Sequence, residues 1–134
     1  MTQILQPPGW AKPKGYSNGI AVKGGTTVFV AGQVAFNSQG VIEQQSFAVQ
    51  FRQTLQNTIA VLAEAGAKPE HIVRMTWYIL DKKEYLGAIR EVGAAYRELI
   101  GRHYPAMAVV QVSGLIEDEA KLEIETTAVI PEQP

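Results

Sequence analysis

Two carboxylates on an otherwise apolar strand are the first residues here with chemistry to offer. Tyr104-Pro-Ala-Met-Ala-Val-Val-Gln-Val and Lys121-Leu-Glu-Ile-Glu-Thr-Thr-Ala-Val129 both alternate with a period of two. They read as strands joined by an acidic loop. On the second, Leu122, Ile124, Thr126 and Ala128 make a mostly apolar face that needs a cover. Glu123 and Glu125 lie on the other face, expected beside Met107, Val109 and Gln111. Carboxylates on a partly buried strand imply a subunit contact or a binding cleft. Burial and the like charge of a close neighbour would protonate them, whereas nearby donors would keep them ionised, as a water-activating base must be.

Other chemistry-bearing residues are few. There is no cysteine, which removes disulfides, thiol nucleophiles and thiolate ligands, and with two histidines no dedicated metal site is expected. His71, after Pro69-Glu70, reads as a surface turn residue. His103, just before a strand, is the candidate for proton transfer at a sheet edge. No Gly-x-Gly-x-x-Gly, phosphate loop or Gly-x-Ser-x-Gly elbow occurs. The formal net charge of −1 leaves the chain without the overall basic character of a nucleic-acid binder. The N-terminus lacks the pattern of a signal peptide and no apolar run approaches a membrane span, so a cytoplasmic protein is expected.

The elements that must position these groups follow from periodicity. With 134 residues, 46% hydrophobic and 19% charged, the chain is expected to fold as one domain, residues 1–134. Residues 1–14 make an extended N-terminal arm, broken by Pro7, Pro8, Gly9 and Pro13, with Trp10 either pinning it to the body or walling a cleft. Tyr16–Lys23 and Thr26–Val34 read as a hairpin around Gly24-Gly25. Gly32, inside the second strand, predicts a bulge or a close backbone approach. Ser46–Ala65 is a predicted helix, capped by Ser46 and ended by Gly66, with Phe51, Leu55, Ile59 and Leu62 as its stripe. Ile72–Leu80 alternates as a strand. Asp81 opens a second helix, with Glu84 placed as in a capping box, that runs to Gly101. Gly93 sits inside it, where something should pass close to the backbone.

The order is β-β-α-β-α-β-β, an α+β arrangement in which two helices cover one face of a mixed sheet of about five strands. The opposite face, with Met107, Val109, Trp77 or Tyr78, and segments of Val28 to Val34 as its candidates, is then expected to be buried between copies of the chain.

Several local sequences, in order, resemble the Rid/YjgF family of RidA-like imine and enamine deaminases, formerly labelled L-PSP endoribonucleases. They are Gly15-Tyr16-Ser17-Asn18-Gly19, Val30-Ala31-Gly32-Gln33-Val34, the helix through Gln53 and Leu55 ending at Ala65-Gly66, and Tyr104-Pro105-Ala106 with Lys121-Leu-Glu-Ile-Glu. The resemblance spans about residues 15 to 130. It implies a chorismate-mutase-like fold and a homotrimer whose sheets form an inner barrel, with small-molecule clefts between subunits. It also implies hydrolysis of a 2-imino acid to a 2-keto acid and ammonia, without metal or organic cofactor. Under it, Glu123 orients the attacking water and Tyr16 is its hydrogen-bond partner in the cleft. Ala31 and Gly32 supply backbone to the same cleft.

Three positions depart from the pattern. Met107 replaces the arginine that would clamp a carboxylate, Gly93 an asparagine, and Val109 a cysteine found in some members. A thioether cannot replace a bidentate charge-assisted contact. The resemblance is therefore to an arginine-lacking branch, with a ligand that is larger than a small imino acid, or neutral. Arg90, Arg97 or Arg102 would substitute only if the fold brings one into the cleft. The alternatives are a non-catalytic trimeric module that binds a metabolite or partner, supported by Met107, and a ribonuclease, which the sparse basic residues disfavour.

The uncovered sheet face predicts a homotrimer in solution at micromolar concentration. Sedimentation or light scattering that returns a monomer would remove the intersubunit cleft.

Overall fold

Period-two alternation places Met75, Trp77 and Ile79 in the core, a register shift brings Ile72 to the same side, and their strand is the spine of the sheet. The computed structural model describes residues 2–43 and 45–133. Its strands are β1 (Thr2–Leu5), β2 (Gly19–Val22), β3 (Thr26–Gln33), β4 (Ile72–Ile79), β5 (Ala106–Gln111) and β6 (Leu122–Ile130), and its helices are α1 (Phe47–Glu64), α2 (Lys82–Gly87) and α3 (Ile89–Leu99). The main sheet has the order β3-β6-β4-β5, with β4 and β5 parallel and the other pairs antiparallel. The α+β architecture with helices against a mixed sheet is as expected from the sequence.

α1 starts where Ser46 Oγ accepts the Val49 N–H, a cap worth about 1 kcal/mol. It ends in a Schellman turn: Ala67 N–H donates to the Leu62 carbonyl and Gly66 N–H to that of Ala63, with Gly66 at φ 77°. Its buried face is Phe47, Gln50, Phe51, Thr54, Leu55, Thr58 and Leu62. Thr58 takes the buried place the apolar pattern assigns to Ile59. The hydroxyls of Thr54 and Thr58 donate to the carbonyls four residues earlier, which lets two polar side chains sit in the core. Phe51 and Trp77 meet edge to face at 4.8 Å. Each large side chain buried here contributes on the order of 1.5–3 kcal/mol.

Four expectations fail. The Gly24-Gly25 hairpin does not form: β2 pairs with β1 in a separate two-stranded ribbon, and β3 pairs with β6. The nine-residue β6 offers β3 a longer apolar partner than the four-residue β2 can. The N-terminal arm therefore contains a strand, Thr2–Leu5, before its proline-rich part. The second helix is two segments, α2 and α3, joined at Ala88. Asp81 Oδ1 caps α2 by accepting from Lys83 and Glu84 N–H, but Glu84 does not reciprocate as in a capping box; it pairs with Lys121 at 2.7 Å. Finally, Met107 and Val109 do not lie on the uncovered face, and of Trp77 or Tyr78 it is Tyr78 that does. That face carries Phe29, 79% exposed, with Tyr78, Val110 and Glu125.

β3 is bulged. Val30 pairs with Thr126 but Gln33 pairs with Ile124, so β3 holds one residue more than β6 across Ala31-Gly32. Among the described residues no helix is long and apolar enough to cross a membrane.

The entry into β6 is set by one buried amide. Gln50 on α1 is 1% exposed, donates Nε2–H to the Glu119 carbonyl and accepts the Lys121 N–H, both at 2.9 Å. Gln50→Ala strands two backbone groups and should destabilise the fold by about 2–3 kcal/mol. Urea unfolding at fixed protein concentration checks this, with a lower midpoint and an unchanged slope expected.

Candidate functional site

The chain segment before β2 is pinned to the sheet edge. Ser17 bridges Ala106 in parallel, its N–H donates to the Pro105 carbonyl at 3.0 Å, and its Oγ donates to the Tyr104 carbonyl at 2.6 Å. Tyr16 is thereby held beside β5. Between this segment, the helix side of β5 and the helices α2 and α3 lies a cavity of about 540 Å³. Its floor is Trp77, Met107 and Val109, and its helix wall carries Tyr85, Ile89, Val92, Gly93, Tyr96 and Arg97. Lys14, Gly15, Tyr16 and Tyr104 close the remaining side. Among the described residues, two cations and no carboxylate line it.

The aromatic wall is bonded within itself. Tyr96 stacks on Tyr104 with centroids 5.8 Å apart, and its hydroxyl donates to the His103 carbonyl. Burial, with Tyr104 adding to it, drives the Tyr96 hydroxyl far above the usual phenol range, so it stays protonated. Burial also raises Tyr85. The Trp77 indole N–H has no hydrogen-bond partner among the described residues.

Glu123 lies elsewhere. It pairs with Tyr78 across β6 and β4, whereas Met107 pairs with Met75 across β5 and β4. Paired residues share a side and neighbours alternate, so Glu123 and Met107 occupy opposite faces of one sheet. The expectation that the carboxylates flank Met107, Val109 and Gln111 is therefore corrected. β4 runs between β5 and β6 and sets their faces out of step. Glu123 stands instead over the β3 bulge, where a Cβ on Gly32 would collide with its carboxylate. Only glycine leaves that space. Ala31 and Gly32 are exposed beside it. Glu125 accepts from the Tyr78 hydroxyl at 2.5 Å, and this bond raises the Tyr78 hydroxyl above its ordinary value.

The sequence candidates thus divide into two groups. Tyr16, Gly93, Met107 and Val109 meet at the cavity; Ala31, Gly32 and Glu123 meet on the open face. His103 joins neither, because its Nε2 is bonded to the Ile72 carbonyl at 2.6 Å. Trp10 is 62% exposed and lines no part of the cavity. Of the three arginines considered, Arg97 alone borders it. A Cβ at Gly93 would lie 3.2 Å from Arg97 Nη1, so the guanidinium is what passes close to that glycine. Sequence reading missed Tyr85, Ile89, Tyr96 and Lys14 as cavity residues. The i, i+4 spacing of Tyr85 and Ile89 gave an apolar stripe but not the break at Ala88 that opens it toward β5. Among the described residues no cluster of three or more histidine, aspartate or glutamate side chains is placed to hold a metal.

The family model described as Endoribonuclease L-PSP matches residues 10–130. The chain belongs to this family, also called Rid/YjgF. A RutC family protein of Pyrococcus horikoshii is 32% identical over 130 residues, covering 96% of this chain and 98% of that protein. A 2-iminobutanoate/2-iminopropanoate deaminase of Escherichia coli is 32% identical over 108 residues, covering 78% and 80%. The crystal structure of a Rid-family protein of unknown function from Yersinia pestis superposes with a TM-score of 0.83 at 32% identity, covering 96% and 98%. The Rid/YjgF fold assigned from the sequence is thus the fold of its solved relatives.

Proposed function

We propose that the protein hydrolyses an imine or enamine C–N bond, using Glu123 of one copy against the cavity of another. The observation that carries this reading is the carboxylate of Glu123 standing over Gly32, half-buried beside a strand bulge with no cation paired to it among the described residues. The Tyr16 cavity lies on the opposite side of the same sheet. Each group is half a site, and a homotrimer with its open sheet faces turned inward would join the halves. The exposed Phe29 and Val110 on that face support such burial.

In this scheme Glu123 accepts a proton from water as its oxygen adds to the imine carbon. The nitrogen is protonated, the C–N bond breaks and ammonia leaves, giving a carbonyl product. An enamine substrate first takes a proton at carbon to become the imine. The Tyr16 hydroxyl orients the substrate or the water, and backbone at Ala31-Gly32 completes the wall. No metal or organic cofactor takes part in these steps. The location of this chemistry is expected to be cytoplasmic.

Met107 favours a second reading, a metabolite-binding trimer without catalysis, since its thioether gives a small imino acid no anchor. Cleavage of RNA has little support: the cavity offers two cations and no stripe of basic residues that would track a phosphate backbone.

Glu123→Gln should lower hydrolysis of an uncharged imine roughly 10²- to 10⁴-fold and leave the oligomer intact. Steady-state rates with sedimentation check both. Equal rates in the two proteins would leave the binding-module reading in its place. In a coupled assay generating 2-aminoacrylate, the protein should turn over little, and Met107→Arg, which adds a fork at the cavity floor, should raise the rate.

A further inference from the structure

The cavity floor carries a methionine, yet the cavity as a whole is cationic. Arg97 and Lys14 border it and, among the described residues, no acidic side chain does. Arg52 is committed to Glu98 and Lys121 to Glu84, but Arg97 has no ion pair or hydrogen bond among the described residues. Its guanidinium lies over Gly93, with Nη1, Cζ and Nη2 at 3.2, 3.9 and 4.0 Å from where a Cβ would be. Residues four apart share a helix face, and helical side chains lean toward the N-terminus, so position 97 naturally covers position 93. Any side chain at 93 would compete for that space. Glycine is a poorer helix former than alanine, and what it provides here is room for a cation.

We propose that Arg97 is the carboxylate anchor of this site, and that the substrate class is a 2-imino acid, or its enamine, with a large apolar or aromatic side chain. This deepens the hydrolase reading and rests on it for the reaction, but not for the binding. The anchor has moved from the strand floor to the helix wall. The space this opens is lined by Trp77, Tyr85, Ile89, Val92 and Met107. At about 540 Å³ it is in the range of pockets that take drug-sized ligands, far beyond a three-carbon acid. The carboxylate meets the planar fork of Arg97 at the rim and the apolar body lies along Met107 toward Trp77.

The test is a titration of Trp77 fluorescence in a Trp10→Phe background, which removes the exposed indole. The probes are phenylpyruvate (the keto acid that such an imine yields), pyruvate, and phenylacetone, which keeps the ring and carbonyl but lacks the carboxylate. Phenylpyruvate should bind at least tenfold tighter than pyruvate. Arg97→Met should weaken phenylpyruvate about tenfold, the scale of a charge-assisted contact at an exposed rim, and leave phenylacetone unchanged. Gly93→Asn, which crowds the guanidinium, should weaken phenylpyruvate in the same direction, and Arg97→Lys should fall between. Equal phenylpyruvate affinity in wild type and Arg97→Met, or no saturable binding to the wild type, overturns the anchor. Glu123→Gln separates the two readings. If binding depends on Arg97 while no imine is hydrolysed, the anchor stands and the hydrolase falls. If hydrolysis depends on Glu123 while Arg97→Met is silent, the anchor alone falls.

Discussion

The alternation of side chains along β4 is the constraint on which the rest of the structure depends. β4 is hydrogen-bonded to β5 on one side and β6 on the other, so its two faces dictate which residues of both neighbours point where. Met75, Trp77 and Ile79 turn toward the helices and take Met107, Val109, Leu122, Ile124 and Thr126 with them. Tyr78 turns away and takes Val110 and Glu123. A slip of one residue in the pairing of β4 with β6 would bring Glu123 to the side of Met107 and at the same time turn Leu122 and Ile124 out of the core. The apolar face cannot allow that, so one chain keeps its carboxylate and its cavity apart.

That separation makes the oligomer a chemical requirement of the proposed reaction and not an accessory to it. The helix face is closed by α1, whose Phe51 packs on Trp77, and by Val92, Ala95 and Tyr96 of α3. The open face has no such cover among the described residues, and its exposed Phe29 is the kind of residue a second copy hides. A site divided between faces also separates the two tasks. Groups that shape the cavity are fixed by the core, whereas the proposed base is fixed by a strand bulge and by the amide of Gln50 at the start of β6.

Two glycines serve the site by absence. Gly32 vacates the volume the Glu123 carboxylate fills, and Gly93 vacates the volume beneath the Arg97 guanidinium. Neither has a positive φ, so backbone freedom is not what these positions require. Each places a charge against bare backbone, close to where a ligand would sit. The glycines that do need left-handed backbone, such as Gly66 at the end of α1, are structural.

The sequence by itself determined the helix and strand types, the caps at Ser46 and Asp81, and the irregularity at Gly32, because these follow from local periodicity, capping chemistry and single-residue conformational cost. It also carried enough of the Rid/YjgF pattern to assign the fold, and it singled out Tyr16, Glu123, Met107 and Gly93. The partnerships were decided only by tertiary structure. That β2 leaves Gly24-Gly25 to pair with Thr2–Leu5, and that β4 sits between β5 and β6, depends on non-local competition for strand edges, in which the longer apolar ladder of β3 with β6 wins. For the same reason Glu123 and Met107, read as neighbours, stand on opposite faces. Of Arg90, Arg97 and Arg102, the first two on one helix and seven residues apart, only Arg97 borders the cavity, one turn of α3 beyond Gly93 and next to the Tyr96 that stacks on Tyr104.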